Sequence, residues 1–249
     1  MGPPGGPQPL NPQVAARHLA TALEDLREPT RSAQQKRYLK SELTHLGVPV
    51  PAIRRVIASF ARDHSDLNRS ALIAVVSELW GAPVHEHRMA AVELLDRYGS
   101  ILRPGDLRLV ERLIRESKTW ALVDPLAINV AGGLVERFAH LATRLDRWAA
   151  DPDDWIRRSA LLALLVPLRR GAGDFERFAR YADALLEERA FFIRKAVGWV
   201  LRDTAKRRPD LVTRWLRPRV SRASGVTVRE AVKYLPARDR EAILRAHRS

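Results

Sequence analysis

From residue 13 onward, apolar residues recur at three- and four-residue steps over segment after segment, the spacing that gives an α-helix one buried face. Valine–isoleucine alternation, the signature of half-buried strands, is absent from the sequence. The pattern predicts an all-α chain. Residues 1–12, MGPPGGPQPLNP, are rich in Pro and Gly and carry no such periodicity, which predicts a disordered leader.

The helical segments repeat. An arginine followed by a mostly apolar stripe recurs at Arg17, Arg54, Arg88, Arg157, Arg194 and Arg229, with steps of 37, 34, 69, 37 and 35 residues. The long step is close to two units, and the skipped unit falls near residue 123, where the chain reads Val123-Asp124-Pro125-Leu126. A period of this length with two helices per unit indicates a right-handed α-solenoid of about six HEAT-like helix pairs. The expectation is a single repeat domain over residues 13–249 with a basic concave face. Two readings of the periodic arginines stand side by side: an internal ladder that satisfies helix ends, or a row of phosphate contacts along one face.

Charge narrows the partner. Forty-three Lys and Arg stand against 29 Asp and Glu, giving a net charge of +14 and a pI of about 11.1, a balance that favours a polyanion. Nucleic acid comes first. A membrane surface comes second, but no run approaches the ~18 apolar residues of a spanning helix, and Met1-Gly2 followed by two prolines is a poor acylation site. Only six of the 43 basic residues are lysine, and arginine bias also follows genomic base composition, so charge alone does not establish anion binding.

With 249 residues the chain is long enough to bury a core, and without cysteine it has no disulfide, thiol nucleophile or Cys-ligated metal. The opening residues lack the basic and apolar blocks of a signal peptide, which gives the cytoplasm as the expected compartment. The seven histidines are scattered, and His85-Glu86-His87 lacks the i, i+4 spacing of a zinc helix. No Gly-rich phosphate loop is present, so neither metal nor cofactor is expected. Gly132-Gly133 lies inside a helical pattern and reads as a close helix contact.

The unit that breaks the arginine register carries the candidate chemistry. In Ser117-Lys-Thr-Trp-Ala-Leu-Val-Asp124-Pro125, Trp120 and Asp124 are four residues apart and share a face if the stretch is helical. Asp before Pro is also a favoured N-cap, so capping by Asp124 and a core role for Trp120 stand as alternatives. In Phe191–Lys206 the apolar stripe runs through Ile193, Val197, Val200 and Leu201, which turns Trp199 roughly 140° away from it. Trp199 then shares its side with Phe192, Lys195, Arg202 and Lys206, a setting that suits a nucleic-acid contact better than a core. Arg157 and Arg158, beside Trp155, read either as phosphate contacts or as capping residues.

Glu78-Leu-Trp-Gly, Ser117–Asp124, Asp154-Trp-Ile-Arg-Arg-Ser-Ala and Phe191–Arg202 resemble, in one order over about residues 33–236, the DNA alkylation-repair family of AlkD type. The resemblance implies a HEAT-like solenoid that excises N3- and N7-alkylated purines from double-stranded DNA in base excision repair. No Schiff-base lysine stands out, so a monofunctional glycosylase without strand-cleaving lyase activity is expected, as a monomer at the bacterial nucleoid; the resemblance implies that it reaches the nucleotide from the backbone side while the base remains stacked. By position, Trp120, Asp124 and Trp199 match residues that contact the lesion nucleotide, Arg158 matches a catalytically important arginine, and Tyr38 matches a tyrosine near the DNA. Thr119 and Ala121 stand where relatives can carry an aromatic and an acid, which bears on substrate range. The further DNA contacts expected are Lys118, Arg157, Arg194, Lys195, Arg202, Lys206 and Arg229.

These residues could suffice. A purine alkylated at N3 or N7 is cationic and leaves without protonation, so the charge needing stabilisation is the oxocarbenium on the sugar. A bare carboxylate about 4 Å away contributes at most ~4 kcal/mol at an effective dielectric near 20, and each indole face adds ~1 kcal/mol. About 6 kcal/mol corresponds to roughly four decades in rate, enough for a labile cationic base. The rival readings are a non-catalytic binder of damaged or branched DNA and a protein-interaction scaffold.

Overall fold

The computed structural model describes residues 10–248, which are helices and their connections apart from one isolated bridge between Thr44 and Val84. The all-α expectation holds throughout the described residues. The Pro/Gly-rich leader expected over residues 1–12 falls outside them at residues 1–9, whereas Asn11 and Pro12 already open the first helix. The chain divides into two compact units, Met1–Arg103 and Pro104–Ser249.

The first unit is built on α1 (Pro12–Glu24), α2 (Pro29–Leu39), α3 (Val50–Asp63), α4 (Arg69–Gly81) and α5 (His85–Arg97). Local chemistry sets the starts: the Asn11 side chain accepts from the amide of Val14, the Asn68 side chain accepts from Ala71, and Pro12 occupies a first-turn position that needs no N–H. The apolar stripes then meet, with Leu19, Leu23, Ile53, Leu72, Val76 and Leu94 essentially solvent-free. The His85-Glu86-His87 segment serves this core. The Glu86 carboxylate is fully buried and accepts from the amides of Leu46 and Gly47 at 2.8 and 2.9 Å, while His85 stacks on His45 at 4.6 Å.

The second unit contains α6 (Leu107–Ser117), α7 (Trp120–Pro125), a π-helical turn (Leu126–Ala131) and α8 (Gly132–Arg137), then α9 (Ala142–Trp148), α10 (Asp154–Leu162) and α11 (Leu165–Arg169). It continues through α12 (Phe175–Ala184), α13 (Phe191–Ala205), α14 (Pro209–Leu216), α15 (Gly225–Ala231) and α16 (Ala237–Arg248). Helices α7, α10, α13 and α15 pack in sequence, each on the next, and form one row. The register residues Asp124, Arg157, Arg194 and Arg229 lie on these four helices. A second row, α6, α9, α12 and the segment after α14, is stitched by ion pairs one repeat apart: Arg115 to Asp151 at 2.7 Å, Arg177 to Asp146 at 3.1 Å, and Arg219 to Asp183.

Gly132, at the start of α8, packs closely on the end of α10. A Cβ there would stand 2.7 Å from the carbonyl oxygen of Ala163, whereas Gly133 has nothing within 4 Å. Only the first of the two glycines makes the close contact expected from sequence.

Candidate functional site

Two residues, Lys118 and Thr119, connect α6 to α7. Lys118 closes α6 in the left-handed region at φ 49°, and the Thr119 hydroxyl caps α7 by accepting from Ala121 at 3.5 Å. The cap is therefore Thr119, and Asp124 lies inside the helix; the capping alternative for Asp124 is overturned. Trp120 begins α7 half-buried, one turn before Asp124. Pro125 lacks an N–H and its ring displaces the carbonyl a turn earlier, so the helix continues through a π-helical turn, closed where the Gly132 amide bonds to Ala127.

Asp124 is 8% exposed and its carboxylate is fully engaged by one arginine. Arg158, on α10, donates from Nε to Oδ1 at 2.8 Å and from Nη2 to Oδ2 at 2.7 Å, a bidentate pair. The remaining Nη1 donates to the backbone carbonyl of Phe192 at the start of α13, whose ring also lies 5.9 Å under the guanidinium. Three consecutive helices of the first row thus converge on one ion pair. The Arg158 side chain is 3% exposed, so the groups it meets are protein groups. Its partner lies in the unit that breaks the arginine register: Asp124 precedes Arg158 by 34 residues.

Trp199 is half-buried on α13, and the apolar stripe Ile193, Val197, Val200 and Leu201 is buried as its pattern requires. The indole Nε1 donates to Asp203 Oδ2 at 3.3 Å, and the Arg202 guanidinium lies 5.9 Å from the ring centroid. Asp203 is 1% exposed and gathers three cations: Arg169 from α11 at 2.7 Å, Lys206 at 3.0 Å and Arg202 at 3.3 Å. Burial pushes the Asp203 carboxyl upward, but the bonds from Lys206 and Arg169 outweigh it and hold it below the usual carboxylate range. Arg202 also pairs with Glu230 at 2.7 Å, and Lys206 lies over the exposed Tyr234 ring at 4.9 Å.

The other expected contacts differ in how much of them faces solvent. Lys118, Lys195 and Arg229 are exposed, with Lys195 over the Phe191 ring at 5.8 Å. Arg194 is half-buried and donates to the carbonyl of Glu188. Arg157 is held by protein groups through both terminal nitrogens, donating to the carbonyls of Asp151 and Pro152 and pairing with Asp154 and with Glu188 at 3.1 Å. Tyr38 is 74% exposed on α2 of the first unit. Sequence reasoning assigned no role to Phe192, Asp203 or Arg169. A signal for the last two was present, because Arg169 and Asp203 are 34 residues apart, the same step that joins Asp124 to Arg158.

Comparison with known proteins gives a family. The sequence model described as DNA alkylation repair enzyme matches residues 19–235. No curated protein matches the chain. Among solved structures, a protein described as a predicted DNA alkylation repair enzyme from Enterococcus faecalis superposes with a TM-score of 0.74 at 20% identity, covering 85% of this chain and 97% of that one. AlkD2 from Streptococcus mutans gives a TM-score of 0.63 at 18% identity over 90% of this chain and 100% of that one. At these identities the likeness is one of fold. Among the described residues, no helix is long and apolar enough to cross a membrane.

Proposed function

The chain belongs to the DNA alkylation repair enzyme family, and from that premise we propose that it is a monofunctional DNA glycosylase hydrolysing the N-glycosidic bond of cationic N3- and N7-alkylated purines in duplex DNA. The observation that carries this reading is the fixed carboxylate of Asp124, one helical turn from the half-buried Trp120 and locked in orientation by Arg158. A catalyst for a cationic leaving group needs no acid. It needs negative charge and aromatic faces aimed where oxocarbenium character develops, already in place before the substrate arrives.

The ion pair changes the magnitude. With the arginine charge about 8 Å from the sugar and the carboxylate about 4 Å from it, the net attraction falls from ~4 to ~2 kcal/mol at a dielectric near 20. Adding ~1 kcal/mol from each of Trp120 and Trp199 leaves about three decades of rate, which restricts the enzyme to bases that leave readily. Arg158 thus trades field strength for a carboxylate held in one geometry. In this reading Lys118, Lys195, Arg202, Lys206 and Arg229 bind backbone phosphates, with Tyr38 a further DNA contact, and Arg158 acts through Asp124.

A second reading, a non-catalytic binder of damaged or branched DNA, draws support from the recurrence of an acid–arginine pair at the same 34-residue step, Arg169 with Asp203, so that this spacing is not peculiar to Asp124. The test incubates duplex DNA carrying 7-methylguanine with the wild type and with Asp124→Asn. We expect free methylated base from the wild type and about 30-fold slower release from the variant, the equivalent of ~2 kcal/mol. Equal release by both would remove Asp124 from the chemistry, and no release by either would establish the binding-only reading.

A further inference from the structure

We propose that Asp203 is a positioning residue that fixes the indole of Trp199 against the DNA and ties that ring to the neighbouring cations Arg169, Arg202 and Lys206. The proposal rests on the glycosylase reading for its catalytic consequence, but its structural half stands on geometry alone. A tryptophan ring half open to solvent on one helix face has rotamers to choose from. The bond from Nε1 to Asp203 Oδ2 at 3.3 Å selects one of them, because Asp203 follows by one helical turn and cannot itself move.

What immobilises Asp203 is the set of cations around it. Arg169 arrives from α11 with both Nε and Nη2 on Oδ2, at 2.8 and 2.7 Å, while Arg202 and Lys206 occupy Oδ1 from the same helix as Trp199. Glu230 takes up one of these charges through Arg202, so the three cations against two carboxylates leave an excess of one. Arg169 and Lys206 keep 44% and 38% of their side chains exposed, so that excess faces solvent beside the ring. A duplex phosphate drawn to these cations is therefore registered against the indole through a single shared anchor. The fourth donor to this carboxylate is the ring proposed to touch the lesion nucleotide.

The experiment uses the full chain labelled with fluorotryptophan, in which each of the six tryptophans gives a fluorine resonance and Trp199 is assigned by its loss in Trp199→Phe. Asp203→Asn is expected to shift and broaden the Trp199 signal and leave the other five in place. Single-turnover release of 7-methylguanine should slow about tenfold in Asp203→Asn from misplacement of the ring. Duplex affinity should hold or tighten, because a negative charge has gone from beneath three cations. In a Trp199→Phe background the same substitution should add less than about twofold, since its route of action is already removed. Should Asp203→Asn fail to fold, Asp203→Glu keeps the charge while displacing the carboxylate, and is expected to show the same shifted resonance and slowed release. An unmoved Trp199 signal in the folded variant, or full additivity with Trp199→Phe, overturns the proposal. Absence of base release by the wild type would instead sink the glycosylase reading, with the resonance still deciding whether Asp203 holds the ring.

Discussion

At the scale of single residues, the Asp124–Arg158 pair carries the most consequence. Both side chains are almost wholly buried and each satisfies the other, so removing one leaves an uncompensated charge. Arg158→Ala is expected to destabilise the protein by about 3–5 kcal/mol in urea unfolding, and Arg158→Lys to recover the charge without the bidentate geometry. A loss under about 1 kcal/mol would mean that solvent already screens the pair. A second residue-scale prediction concerns His85. Burial, with the charges of His45 and Arg88 adding to it, pushes this imidazole down to about 3. The folded chain keeps it neutral where the unfolded chain protonates it, so its contribution is full above pH about 6.5 and is lost as pH falls toward 3, by up to ~1.4 kcal/mol per pH unit. Urea midpoints taken between about pH 7.5 and 4.5 should drop in the wild type and drop less steeply in His85→Phe, with the buried His45 and His87, also pushed down by burial, supplying the remainder; parallel slopes would exclude His85 as a source.

At the scale of elements, the helix from Trp120 to Arg137 is interrupted by a π-helical turn just after the site carboxylate. Proline at position 125 explains the interruption, and Gly132 lets the continuing helix approach the end of α10. Gly132→Ala should cost about 1–3 kcal/mol, because the atom it meets is a backbone carbonyl that cannot rotate away. Gly133→Ala, in open space on the same helix, should instead stabilise by about 0.5–1 kcal/mol through helix propensity. Thermal unfolding of the two single variants checks both signs, and equal effects would disprove the close-contact account. Helix identity here was legible from periodicity, whereas the structure supplies the capping side chains Asn11, Asn68 and Asp153, all of which accept first-turn amides. The π turn was not legible, since a Pro inside an apolar run reads equally as a helix start, and that ambiguity is what made Asp124 look like a cap.

At the scale of the whole molecule, a net charge of +14 overstates the free cation supply. Among the periodic arginines, Arg54 pairs with Glu93 at 3.0 Å while remaining exposed, Arg157 pairs with Glu188, and Arg229 is exposed. DNA binding then depends on a modest set of side chains. Five phosphate contacts predict a log–log salt slope of about −4.5 and a roughly 500-fold loss of duplex affinity between about 50 and 200 mM salt. Fluorescence anisotropy on an undamaged duplex measures this directly, and salt-insensitive binding would point to a protein-interaction scaffold.

The order of residues was enough to settle the all-helical class, and it pointed to a repeat of about 35 residues and to the oddity of the unit around Asp124, because hydrophobic period acts over a few neighbours along the chain. It also placed Trp199 on the polar side of α13. Tertiary structure alone decided which charges meet. Asp124 with Arg158, and Asp203 with Arg169 and Trp199, are joined across helices a repeat apart. Whether an arginine there ends against a carboxylate or against solvent depends on distance and burial, which one helix's pattern does not encode.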